Sequence, residues 1–215
     1  NTHSSSSSSS SSSGAGGKPG GTPGLHLSGI GHLARANTAV RCVLAAMLCV
    51  GFALSIQRAS LSMLAPTHFG MSVEQLGLIM SLAGVLAVLT NAFLVGALTA
   101  AASDARVLTC TAAALVPVLV VYAYTSTFEQ LLCVLVPLAA ASTVLYTVST
   151  AMLSKAAGAQ DAGTAIGLSH AVRTLCDLAS PATAGYLAQL GGVPGVGLCS
   201  AALAAVGALL LVLLR

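Results

Sequence analysis

Charge is what this chain most lacks. Only 6% of its 215 residues are Asp, Glu, Lys or Arg, where a soluble globular domain carries about 25%. That deficit excludes an ordinary water-soluble fold. Nucleic acid is excluded as a partner too, because there is no basic patch with interleaved aromatics. The six cysteines, Cys42, Cys49, Cys110, Cys133, Cys176 and Cys199, are scattered through apolar runs without CxxC spacing, so they read as small packing residues and supply no metal site. HExxH is missing. Ser149 lies in TVSTAM without the flanking glycines of a membrane serine protease, and the last apolar run has no histidine. Neither enzyme chemistry nor a cofactor or metal is therefore expected.

Apolar length is what the chain has. Residues 1–40 are a Ser/Gly-rich stretch with the serine run Ser4 to Ser13, read as a disordered cytoplasmic linker unable to bury enough surface to order itself. It has no signal-peptide order of charge, apolar run and cleavage site. The first residue is Asn1, and the chain is expected to begin partway through a longer product. Residues 41–215 hold six expected membrane spans: Cys42–Pro66, Gln75–Ala100, Val107–Thr125, Gln130–Leu153, Thr164–Gln189 and Gly195–Leu214. Each approaches the roughly 20 apolar residues that cross a bilayer. The fold class is all-α, a multi-pass bundle in lipid. Pro117, Pro137 and Pro181 are tolerated as kinks, and Tyr122, Tyr124 and Phe128 are expected at an interface.

Alternating the spans puts Lys18, Arg35, Arg41, Arg106, Lys155 and Arg215 on one side, with Glu74, Glu129 and His68 opposite. The positive-inside rule then makes both termini cytoplasmic. Polar residues are uneven. The first, second, fourth and fifth spans carry them and read as cavity walls; the third and sixth read as lipid-facing supports. That is a pattern of two three-helix repeats.

The fifth span carries His170, Arg173 and Asp177, spaced three and four residues apart and so on one helical stripe. Charged groups at membrane depth must face protein or water. Counting from the inner end, they lie roughly 9, 14 and 20 Å deep; Arg58 lies roughly 24 Å along the first span. Asp177 thus has two candidate cationic partners, Arg173 on its own helix or Arg58 across a cavity. One reading makes Arg173 and Asp177 a neutralising pair that lets the helix insert. The other gives Asp177 or His170 a cationic substrate or a coupling proton to bind, its proton affinity set by dryness against a nearby arginine. Gln57, Asn91 and Tyr146 offer hydrogen bonds to a solute or to neighbouring helices.

The entry and body of the fifth span, with Asp161, Gly163, Thr164, Gly167, the Ser180–Pro181 pair and Gly185, resemble the eleventh helix of the major facilitator superfamily. SVEQLGLIMSLAGVL from Ser72 resembles the start of that family's eighth helix. Gly96 and Arg106 keep the character of its cytoplasmic loop, with Ala100 where the aspartate would fall. Residues 41–215, and MLSKAAGAQDAGTAIGL from Met152 above all, are similar to the C-terminal half of the organic-cation-transporter-like branch of solute carrier family twenty-two. The resemblance implies half of a twelve-helix transporter that holds a small organic solute between its halves and works by alternating access. A cation is the candidate solute and a proton the candidate coupling ion. Its partners would be the lipid bilayer, the solute, and an N-terminal six-helix half or a second copy. The alternative is a structural or channel-like six-helix subunit that transports nothing.

Overall fold

The computed structural model describes residues 38–213, all of whose regular structure is helical. Most of the expected Ser/Gly-rich linker, residues 1–37, and Arg215 lie outside the described residues. Helix α1 is Thr38–His68, α2 is Val73–Leu89, α3 is Gly96–Ala101, α4 is Asp104–Ala123 and α5 is Phe128–Leu213, with a π-helical turn, Thr90–Val95, joining α2 to α3. By length and composition, five helical segments among the described residues can cross a membrane: Val43–Pro66, Val73–Ala101, Asp104–Ala123, Phe128–Ala157 and Ala162–Leu213.

Local chemistry sets the breaks. Gly70 takes φ +60° after α1, a left-handed conformation that costs glycine little. Ser72 then caps α2: its hydroxyl accepts from the Gln75 amide at 3.3 Å, while the Ser72 amide donates to Gln75 Oε1 at 3.0 Å. This reciprocal box satisfies two helix-end donors at once.

A straight helix of 86 residues would run about 129 Å, so α5 has to fold on itself. Thr150 Oγ1 and Ser169 Oγ are 3.5 Å apart, where a straight helix would separate them by about 28 Å. The chain therefore reverses between them. It turns again at Gly192, φ +59°, beyond which a Cβ on Gly195 would lie 3.3 Å from the Leu187 carbonyl.

α1 packs chiefly against α5. Cys176 reaches the Leu48 carbonyl, Ser55 meets Asp177, and Met63 lies against Gly185; the order rises on both sides, so Ala162–Gly191 runs parallel to α1. After Gly192 the order inverts: Val196 packs with Ile56, and Gly207 lies against Val50. A Cβ on Gly207 would come within 2.5 Å of Val50 Cγ2 and 3.3 Å of the Ala46 carbonyl. Small residues permit such backbone approach between membrane helices. α4 supplies Leu108, Leu115 and Leu119 to the largest core cluster, shared with Ala46, Val50 and Leu54 of α1.

The two ends of the bundle differ in charge. At one end Val43, Leu153 and Ala165 pack together, and Lys155 pairs with Asp104 two residues before Arg106. At the other end Ala65, Met71, Leu131 and Val193 cluster, beside the first turns of α2 and α5, which carry Glu74 and Glu129. The interfacial aromatic group expected from sequence needs one correction. Tyr124 is exposed, but Tyr122 is fully buried, its hydroxyl 3.3 Å from Ser60 Oγ on α1. A phenol that finds a partner inside has no need of the interface.

Candidate solute cavity

Polar side chains from four segments converge beside α1. Gln57 and Arg58 come from its middle, Asn91 from the π-helical turn, Ser142, Thr143 and Tyr146 from Phe128–Ala157, and Arg173 from the segment after it. A π turn adds a residue to the helical repeat and rotates the side chains beyond it; such turns are frequent at functional sites. Here it brings Asn91 to Thr147, whose hydroxyl donates to Asn91 Oδ1 at 2.8 Å.

These residues border a cavity of about 340 Å³. That is at the small end of the range for ligand pockets. Gln57, Arg58, Asn91, Tyr146 and Arg173 all line it, and its apolar wall includes Leu54, Leu61, Ile79 and Leu135. Among the described residues, neither α4 nor the chain beyond Gly192 contributes to the lining. A second cavity of about 460 Å³ is lined by His170, Ser169, Thr150 and Ser154, and shares Tyr146, Thr147 and Arg173 with the first. The Arg173–Tyr146 pair is thus the border between two chambers.

Arg173 lies over the Tyr146 ring, its central guanidinium carbon 4.3 Å from the ring centroid, close enough for a cation–π contact. Its Nε is 3.8 Å from Asp177 Oδ2, a single long contact and not a bidentate pair. Asp177 Oδ1 accepts a hydrogen bond from Ser55 Oγ at 2.6 Å. Of the two candidate partners read from sequence, Asp177 pairs with Arg173 and not with Arg58: among the described residues the ion pairs are Lys155–Asp104 and Arg173–Asp177. Arg58 instead lies beside the Tyr146 hydroxyl. The Tyr146 hydroxyl is enclosed and has no well-formed hydrogen bond.

Of the seven residues singled out from sequence, five share the first cavity, and His170 borders the second with Arg173 and Tyr146. Asp177 lines neither cavity. Ser55 was missed as its partner. The signal was present in the spacing, since Ser55 precedes Arg58 by three residues and so shares its helical face. Among the described residues no three His, Cys, Asp or Glu side chains gather to hold a metal ion.

Residues 43–215 match the sequence profile of the Major Facilitator Superfamily. The chain belongs to the major facilitator superfamily. No individual curated protein matches it. The family is one of transporters, not enzymes, so this major facilitator chain is an integral multi-pass membrane protein of transporter type. The family fixes that much about the cavity. It leaves the solute and any coupling ion to the residues themselves.

Proposed function

We propose that this chain moves a small organic solute by alternating access, with the 340 Å³ cavity as its solute site. The observation that carries the reading is the convergence of Gln57, Arg58, Asn91, Tyr146 and Arg173 on one chamber in a major facilitator chain. Polar groups with no counterpart in lipid are costly at this depth, which favours a watery, solute-bearing chamber over a purely structural one.

Six membrane crossings, arranged as two three-helix repeats, are part of the same reading. Ala162–Leu213 is 52 residues long, about 78 Å if straight, more than twice a hydrocarbon core of about 30 Å; the turn at Gly192 supports counting it as two. Arg106 and Lys155 at one end of the bundle, with Glu74 and Glu129 at the other, support cytoplasmic termini. An N-terminal six-helix half or a second copy would cover the open side of the cavity. The organic-cation-transporter-like branch is the placement suggested by the sequence, and its cation would have to be drawn by Asp177 or His170. Asp177 stands outside the cavity lining, so it suits a coupling proton, as in an antiporter, better than a bound solute.

Uptake into proteoliposomes, with and without a pH gradient and using labelled neutral, cationic and anionic organic solutes, tests the proposal. Saturable uptake of at least one solute, abolished by Arg173→Gln, is expected. No uptake of any class would favour the structural or channel-like alternative. A pH-driven component that survives Asp177→Asn would remove the proton role.

A further inference from the structure

We propose that the cavity binds the charged group of an organic anion, an amphiphilic carboxylate or sulfonate, with Arg58 and Arg173 as its counter-charges. This rests on the cavity being the solute site and adds the sign of the solute, against the cation expected from sequence.

The charge balance is the first argument. Among the described residues two guanidiniums line the chamber and no Asp or Glu does. Asp177 is held by the Ser55 hydroxyl at 2.6 Å and touches Arg173 through one contact at 3.8 Å. Among the described residues no carboxylate lies within ion-pairing distance of Arg58. Arg58, Arg173 and Asp177 together therefore leave one positive charge without a counter-charge among the described residues. A bound anion cancels it. A bound ammonium doubles it.

Donor geometry is the second. Arg173 lies over the Tyr146 ring; a guanidinium held by its face keeps its edge donors for a planar acceptor such as a carboxylate. The Tyr146 hydroxyl, enclosed beside Arg58 and with no acceptor, is a further donor at the same place. The remainder of the wall, Leu54, Leu61, Ile79 and Leu135, suits a hydrocarbon body. One charged end and an apolar remainder describe an amphiphilic organic anion.

Three probes of one shape separate the possibilities: phenylbutyrate, phenylbutylammonium and phenylbutanol, measured by equilibrium binding to the purified protein in nanodiscs. Phenylbutyrate is expected to bind about tenfold or more tightly than either of the others, as a charge-assisted pair should. Arg58→Gln and Arg173→Gln should each weaken phenylbutyrate about tenfold, with phenylbutanol affected much less. Arg173→Lys, which keeps the charge but loses the fork, should fall between and also controls for folding. Tighter binding of the ammonium or the alcohol than of phenylbutyrate overturns the charge assignment while leaving the cavity as a solute site. Equal loss of all three probes in the arginine variants overturns it too, because it marks a collapsed cavity and not a lost counter-charge. Binding of none overturns this inference, and the uptake panel then judges the transport reading separately.

Discussion

α1 and Val73–Ala101 are both apolar enough to cross a bilayer, yet they live in different surroundings. Within the apolar stretch of α1, 56% is buried inside the protein; for Val73–Ala101 the share is 11%. The more apolar of the two is the less buried. In water that would be a contradiction, since burial is what apolar surface gains there. In lipid the outward face is already in an apolar solvent, and helices associate by packing and polar contacts instead. Hence α1, with Ser55, Gln57 and Ser60 buried, is an inner helix, while Val88 and Phe93 of the second segment face outward, 67% and 74% exposed.

Substitutions can break or sharpen that contrast. The largest effect is expected at the closest approach to α1. Gly207→Leu would drive a side chain into Val50 and the Ala46 carbonyl, and overpacking of this kind costs about 1–3 kcal/mol or more. Detergent thermal-unfolding measurements should show a large fall, where Gly167→Ala, with open space around it, should show little. Next comes Ile56→Ala, in a side chain with no exposure. The cavity it leaves should cost about 2 kcal/mol or more, whereas Val88→Ala on the outward face should stay within about 0.5 kcal/mol. Equal costs at the two positions would erase the distinction between inner helix and outer wall. Smaller again is Ser55→Ala, which removes the 2.6 Å hydrogen bond to Asp177. A loss of about 1–2 kcal/mol is expected, together with altered pH dependence of uptake if Asp177 carries the proton.

The same contrast explains how far the sequence could be read. Helical spans are legible because a membrane demands them and apolar length reports them. The cavity wall is legible in outline because polar residues at membrane depth have few uses: Gln57, Arg58, Asn91, Tyr146 and Arg173 are all marked by that rule alone. Their pairing is not. Which acceptor Ser55 meets, and that Asp177 joins Ser55 and Arg173 instead of Arg58, depends on the relative rotation of two parallel segments, α1 and Ala162–Gly191. One residue's worth of rotation would give a different partner. Tyr122 escapes for a related reason: an aromatic near a span end fits the interface and a buried hydroxyl pair equally well, until Ser60 is known to be beside it. The break at Gly192 falls in the gap between two expected spans, and its positive φ is the backbone cause.

The most direct test is one of water access to the chamber. In a cysteine-free background, Asn91→Cys and Ser142→Cys should react with a charged, water-borne thiol reagent and be shielded by bound solute. Val88→Cys and Phe93→Cys should react only with a lipid-dissolved one. If the cavity positions resist the charged reagent and the outward positions accept it, the chamber beside α1 is dry and the account of it as a solute site is wrong.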